Sequence, residues 1–230
     1  MNRRRRRAAK AKGSIGKLDR VVAIHEAGHA VARVLVAADF GRSPEEMVAY
    51  IDVGTAKKIG NNHFDKSVAL VTQATTYGPT LSVELQSVFD HTVRDLGTTT
   101  FTKKHIVDAI ALAKADGIDV LGWLRARMLI STLASSAEAK HTGRSIEEVW
   151  NSLESEDDMR VAVESGVYAG VPAEQIGSFI EEALERSEAI IQQANVQRAI
   201  HALADALPDQ GRLAGRRAVF VINRALAAAE

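Results

Sequence analysis

Two histidines four residues apart enclose a glutamate in the stretch His25-Glu26-Ala27-Gly28-His29. On an α-helix, residues four apart lie on the same face, so His25 and His29 can aim their imidazoles at one point. This H-E-x-x-H pattern predicts a zinc site in which Glu26 is the general base for attack of water on a carbonyl. Catalytic zinc keeps three protein ligands, so the third must come from elsewhere in the chain.

The same five residues have a second interpretation, in which a surface helix carries a histidine pair beside an acid. The flanking residues favour a buried helix instead, because most of them are apolar: Val21, Val22, Ile24, Ala27, Ala30, Val31, Val34 and Leu35. Buried imidazoles and carboxylates cost free energy unless they have partners. A bound metal would provide that partner, and we therefore favour the metal site.

The composition narrows the chemistry of any such site. With 230 residues and 46% hydrophobic content, the chain is long enough to bury a core in one domain or two small ones. Cysteine is absent, so a metal must rest on histidine and carboxylate ligands. This absence fits a reducing compartment, and we expect a cytoplasmic protein. No stretch approaches 18 uninterrupted apolar residues, so no membrane span is expected.

Positive charge is concentrated at the start of the chain. The first 20 residues hold nine Lys and Arg and one acid, which leaves 20 basic and 28 acidic residues in 21–230. The run Arg3–Arg7 could contact nucleic acid or anionic lipid. A single basic block without interleaved aromatics is more typical of a solvated tail. We therefore predict a basic disordered tail over 1–16, a folded domain over 17–230, and no nucleic-acid partner.

Hydrophobic periodicity predicts a mainly helical fold with a small β element. The helix carrying the motif should begin between Lys17 and Arg20 and end near Ala38. The other predicted elements are a strand at Met47–Val53, a strand at Ser67–Thr76, two helices within 80–115 split at 97–100, a helix at Val120–His141, a capping box of Ser145 and Glu148 that opens Ile146–Leu153, and apolar helical stripes from Ile176 to Leu207.

The third ligand is not defined by residue patterns alone. The metzincin continuation is absent because Ala32 and Leu35 follow His29 where glycine and histidine would stand. Four other histidines are expected to be solvated or structural: His63, His91, His105 and His201. Asp157 and Asp158 are candidates, but acids are common in the first turn of a helix, so other carboxylates stay open.

Several segments together resemble the FtsH-type zinc peptidase domain, which is associated with an AAA ATPase. His25-Glu26-Ala27-Gly28-His29-Ala30 is similar to the H-E-A-G-H-A opening of that family. Ser135-Ser136-Ala137-Glu138 resembles its small-residue A-A-E segment, and Glu156-Asp157-Asp158-Met159 resembles its acidic turn before a helix. A long helix at Ile180–Ala206, a turn containing Gly211 and a helix at Ala218–Leu226 are similar to its ending. Residues 54–115 form an unassigned insertion relative to the family.

The resemblance implies roles for particular residues. His25, His29 and Asp158 would be the zinc ligands, with Asp157 as the fallback, and Glu26 would be the general base. Glu138 would help to orient a ligand. The implied fold is an FtsH-peptidase-like, mainly α domain with a small β element near the metal. The implied activity is that of a zinc-dependent endopeptidase.

The sequence also departs from that family. FtsH-type proteins join the peptidase to an ATPase and usually to membrane anchors, whereas this sequence contains no G-x-x-x-x-G-K-[ST] loop and no predicted span. The expected substrates are therefore peptides or unfolded proteins, with a separate ATPase or a homo-oligomer as partners. The alternative function is a non-catalytic helical binding or adaptor protein that keeps the fold and contacts nucleic acid through its Arg-rich tail.

Overall fold

The structure is mainly helical and contains one small antiparallel sheet. This computed structural model describes residues 18–54, 73–96, 103–152, 155–209 and 211–228. In chain order the elements are α1 (Arg20–Leu35), a 3₁₀ turn (Ala38–Phe40), α2 (Pro44–Met47), β1 (Tyr50–Gly54), β2 (Gln73–Tyr77), α3 (Val83–Leu96), α4 (Lys103–Ala115), α5 (Val120–Thr142), α6 (Ile146–Trp150), α7 (Glu156–Tyr168), α8 (Ala173–Ile191), α9 (Ala194–Ala206), β3 (Gly211–Ala214) and α10 (Gly215–Ala227). The predicted tail, 1–16, lies outside the described residues.

Helices α1 and α5 pack against each other as an antiparallel pair, and both contribute many buried residues to the core. Their closest approach is at Gly28, where a Cβ atom would lie 2.7 Å from the Cα atom of Ala134. Only glycine fits there without a shift of backbone, because real Cβ atoms do not approach other atoms so closely. The Asp19 side chain caps α1 by accepting a hydrogen bond of 2.8 Å from the backbone N–H of Val21.

The sheet lies beside α1 and has the strand order β2-β1-β3, with both pairings antiparallel. Ile51 in the central strand lies opposite Thr76 on one side and Leu213 on the other. The Ile51 and Val53 side chains are fully buried, so one face of β1 packs on the helices. Among the described strands, β2 forms one edge of the sheet.

The two predicted strands are present, but their bounds differ from the predicted ones. Met47 ends the short helix α2 rather than beginning a strand, because Ser43 and Glu46 form a capping box that starts a helix at Pro44. The strand predicted at 67–76 is present as β2 from residue 73, and residues 55–72 lie outside the described part.

The single long helix predicted at Ile180–Ala206 is wrong, because α8 ends at Ile191 and α9 begins at Ala194. Gln193 between them has an extended backbone with φ −70° and ψ 124°. The break lets α9 pack against both α1 and α10. No glycine or proline marks it, so tertiary packing overrides the local sequence pattern here. Gly211, expected in a turn, has a positive φ of 95° and begins the short strand β3, which the sequence did not predict.

The other predicted helices are confirmed. α3 and α4 occupy 83–96 and 103–115, and α5 ends at Thr142 with Gly143 in a left-handed conformation, φ 74°. The capping box of Ser145 and Glu148 is present at the start of α6, although this helix ends at Trp150 rather than Leu153. Among the described residues, no helix is both long and apolar enough to cross a bilayer.

Candidate metal centre

Three side chains predicted to bind a metal come together between α1 and α7. The Nε2 atoms of His25 and His29 lie 3.1 and 3.3 Å from the same oxygen, Oδ2 of Asp158. One ligand atom from each residue lies within 4.8 Å of the other two. Within the part of the chain that the structure describes, this is the one group of three or more potential ligands that is so placed.

The donor set and its spacing fit zinc. A tetrahedral zinc ion with ligands at about 2.0–2.1 Å holds neighbouring ligand atoms roughly 3.4 Å apart. The two nitrogen–oxygen distances at Asp158 are close to this value. Two imidazoles and one carboxylate also match the three protein ligands of catalytic zinc sites, in which a fourth position stays open. The residues present are therefore suited to hold zinc.

The orientation of helix α7 determines which of two adjacent aspartates, Asp157 or Asp158, contacts the histidines. Asp158 lies in its first turn, where the helix N-terminus favours a carboxylate. Asp157 points away: its side chain is 92% exposed and forms a 3.0 Å salt bridge with Arg160. The structure thus brings Asp158, and not the fallback Asp157, to His25 and His29.

The second nitrogen of each histidine ring also has a partner. His29 Nδ1 donates a hydrogen bond of 2.9 Å to the backbone carbonyl of Ile130, which leaves the Nε2 lone pair free for a ligand. His25 Nδ1 lies 3.0 Å from Oε2 of the buried Glu138. Both contacts come from α5, and the orienting role that the resemblance implied for Glu138 would act through its contact with His25.

The predicted general base is tied to the sheet. Glu26 is buried, with 9% of its surface exposed, and its Oε2 atom accepts a hydrogen bond of 2.9 Å from the hydroxyl of Thr76 on β2. The same hydroxyl lies 3.0 Å from the backbone carbonyl oxygen of Glu26. Thr76 therefore fixes the Glu26 carboxylate on the side of α1 that faces β2.

Charges within the cluster change the pKa values of His25 and Asp158. Burial alone would lower the pKa of His25, but hydrogen bonds to Asp158 and Glu138 and the nearby negative charges raise this pKa to about 10. Burial alone would raise the pKa of Asp158, but the charges and hydrogen bonds of His29 and His25 hold it well below its usual range. The carboxylates that favour a proton on His25 would also favour a metal cation, which would compete with that proton.

The other histidines whose side chains the structure describes do not join this cluster. His201 lies with His141, the ring centroids being 5.9 Å apart, and His105 lies on α4. His63 and the side chain of His91 fall outside the described residues. The residue pattern did not predict the role of Thr76, which lies in the unassigned insertion and contacts Glu26. It also missed Ile130, which contributes a backbone carbonyl that no residue pattern reveals.

Comparison with known proteins identified no relative of this chain. No model of a protein family matches the chain, and neither a curated protein nor a solved structure does. The function is therefore inferred from the geometry of His25, His29, Asp158 and Glu26, together with the resemblance of short sequence segments to FtsH-type peptidases.

Proposed function

We propose that the protein is a zinc-dependent endopeptidase, with His25, His29 and Asp158 as the zinc ligands and Glu26 as the general base. The observation that carries this proposal is the approach of both Nε2 atoms to one Asp158 oxygen, 3.1 and 3.3 Å away, beside a buried glutamate. The FtsH-like sequence segments support it. A mainly helical fold with a small sheet beside the site is consistent with an FtsH-peptidase-like architecture.

The residues of the chain have separate tasks in the proposed reaction. A bound zinc ion supplies Lewis-acid polarisation of the scissile carbonyl and lowers the pKa of water to about 7. Glu26 takes a proton from the attacking water and passes it to the leaving amine nitrogen. The Thr76 hydroxyl keeps the Glu26 carboxylate oriented, and the contacts with Glu138 and Ile130 keep the two imidazoles oriented.

The position of β2 favours an extended polypeptide as the substrate. As an edge strand of the described sheet, β2 can pair with a peptide backbone through main-chain hydrogen bonds. The Thr76 side chain connects this strand to Glu26. An extended peptide on β2 would therefore lie beside the general base. We propose peptides and unfolded proteins as substrates, and a separate ATPase or further copies of the chain as partners for folded ones.

The decisive experiment compares the zinc-loaded protein with its Glu26→Gln variant on unfolded casein and in self-cleavage. We expect a loss of about 10²- to 10⁴-fold in rate, the usual contribution of a general base. Zinc content should stay the same in both proteins, because Glu26 is not one of the proposed ligands. Glu181→Gln, a substitution on the exposed face of α8, should leave the rate unchanged.

Two results would contradict the proposal. Retention of full activity in the Glu26→Gln variant would remove Glu26 from the mechanism. Absence of hydrolysis by the zinc-loaded wild-type protein on every unfolded substrate would favour the non-catalytic binding or adaptor protein. Zinc content alone does not distinguish these functions, because either can retain the ion.

A further inference from the structure

Two arginines lie one helical turn beyond the contact that holds His29. Arg33 follows His29 by four residues on α1, and Arg127 precedes Ile130 by three residues on α5. Since His29 Nδ1 bonds to the Ile130 carbonyl and the helices are antiparallel, both arginines project from the faces that meet beside the metal centre. In agreement, the positive charge of Arg127 acts on Arg33.

Arg33 has a structural partner. Its side chain is buried, 6% exposed, and its Nη1 donates a hydrogen bond of 2.8 Å to the carbonyl of Pro79, which follows β2. Burial and the charge of Arg127 lower the pKa of Arg33 to about 10, against the opposing charge of Glu26. Arg33 therefore anchors the segment after β2 to α1 and adds positive charge to this corner of the site.

Arg127 has no such anchor. It forms no hydrogen bond and no salt bridge with any residue that the structure describes, although it is partly buried. Burial lowers its pKa, and Asp158 is the nearby negative charge that opposes this effect. Asp158 is shared with His25 and His29, and as a zinc ligand its charge would be largely committed to the ion. None of its side-chain nitrogens is among the buried unpartnered atoms of the described residues, so the guanidinium reaches solvent and is available to a ligand of opposite charge.

We propose that Arg127 anchors a subsite beside the metal centre that binds a carboxylate of the peptide substrate. This inference rests on the proposed peptidase function and adds a specificity to it. A guanidinium pairs with a carboxylate through two parallel N–H···O hydrogen bonds, which a lysine cannot reproduce. The carboxylate can belong to an Asp or Glu side chain or to the C-terminus of the peptide, since the two present the same chemistry.

The test measures peptide binding separately from hydrolysis. Fluorescent peptides of one sequence are titrated into the zinc-loaded Glu26→Gln protein, in versions with a free or amidated C-terminus and with an internal Glu or Gln. We expect one carboxylate version to bind about 10- to 100-fold more tightly than its neutral counterpart. Arg127→Gln should abolish that ratio and leave the affinity for the neutral peptide unchanged, whereas Arg127→Lys should keep part of it.

The matched control is Arg125→Gln on the same helix. Arg125 is exposed and pairs with Glu182 at 3.0 Å, so its loss should not change the ratio. If Arg127→Gln weakens charged and neutral peptides equally, or leaves the ratio intact, the subsite is refuted. The peptidase proposal is tested independently, because it stands if the wild-type protein hydrolyses casein and Glu26→Gln does not. Which peptide pair shows the ratio identifies the source of the carboxylate.

Discussion

Among the side chains that the structure describes, two pairs of histidines have rings that lie edge to face, and the surroundings of the two pairs differ. The rings of His25 and His29 are 4.9 Å apart at their centroids, and those of His141 and His201 are 5.9 Å apart. Each pair therefore consists of two imidazole rings, and the distances between the rings differ by only 1.0 Å. The first pair faces the carboxylate of Asp158, whereas the second lies on the outer side of α5 and α9 among positive charges.

The charged neighbours, and not the histidines themselves, separate the two pairs chemically. Carboxylates outweigh the effect of burial at His25 and raise its pKa to about 10. At His201, burial and the positive charges of Arg20 and His141 lower the pKa, with Asp205 opposing them. A metal ion is a positive charge, so the carboxylates that favour a proton at the first pair also favour a metal there. The cations near the second pair oppose one.

The largest expected effect is on zinc affinity when the shared carboxylate is removed. Asp158→Ala deletes one of the three proposed ligands, and we expect the affinity to fall by more than the 10- to 100-fold that is typical for loss of an outer partner. Competition with a chromogenic chelator measures it. Asp157→Ala is the matched control, because that exposed side chain pairs with Arg160 instead. Equal affinities of the two variants would refute the Asp158 assignment.

The next effect concerns the carboxylate behind His25. Glu138→Ala removes the partner of His25 Nδ1 while leaving all three ligands, and we expect zinc affinity to fall about 10- to 100-fold. The same chelator competition on His201→Ala should show no change, because that ring belongs to the second pair. A Glu138→Ala protein with wild-type affinity would show that the buried contact does not tune the site.

The first pair also depends on close contact between α1 and α5, which can be tested by stability. Gly28→Ala places a Cβ atom 2.7 Å from the Cα of Ala134, so we expect unfolding to become easier by about 1–3 kcal/mol through overpacking. Gly177→Ala on α8 meets open space and should instead stabilise by up to about 1 kcal/mol through helix propensity. Denaturant unfolding of both variants measures the difference. A Gly28→Ala protein as stable as wild type would contradict the packing.

What the sequence predicts well here is local. His25, Glu26 and His29 share one helix, so their relative placement follows from helical geometry alone. The capping box of Ser145 and Glu148 is likewise contained within four residues, and the structure has it. Both predictions need no knowledge of how distant segments pack.

The long-range parts of the site could not be predicted in the same way. Asp157 and Asp158 are adjacent in the first turn of α7, and their side chains point in different directions. Which of them contacts His25 therefore depends on how α7 packs against α1, and Asp158 is 133 residues away from His25 in the sequence. Only a resemblance favoured Asp158 beforehand. Thr76 reaches Glu26 through the packing of β2 against α1. Arg125 and Arg127 both interrupt the apolar stretch of α5, so the sequence alone does not distinguish the exposed arginine from the one on the side of α1.

The smallest expected effect is the pH dependence that the second pair adds to stability. Because the pKa of His201 is lower in the folded state than its ordinary value of 6.5, the folded state binds fewer protons than the unfolded state. The contribution of neutral His201 to the free energy of unfolding is therefore fully present above pH 6.5. It is lost as the pH falls through the lowered pKa of His201 in the folded protein. The ring is exposed, so solvent screening keeps the effect below about 1 kcal/mol.

His201→Gln removes this titration, so the wild-type protein should lose more stability than the variant between pH 7.5 and pH 5. Thermal unfolding across that range measures the difference between the two proteins, in which contributions shared by both, such as those of His25, cancel. His105→Gln on α4 controls for loss of a histidine elsewhere. Parallel pH profiles for wild type and His201→Gln would show that Arg20 and His141 do not repel a proton at His201. The contrast between the two histidine pairs would then rest on the Asp158 side alone.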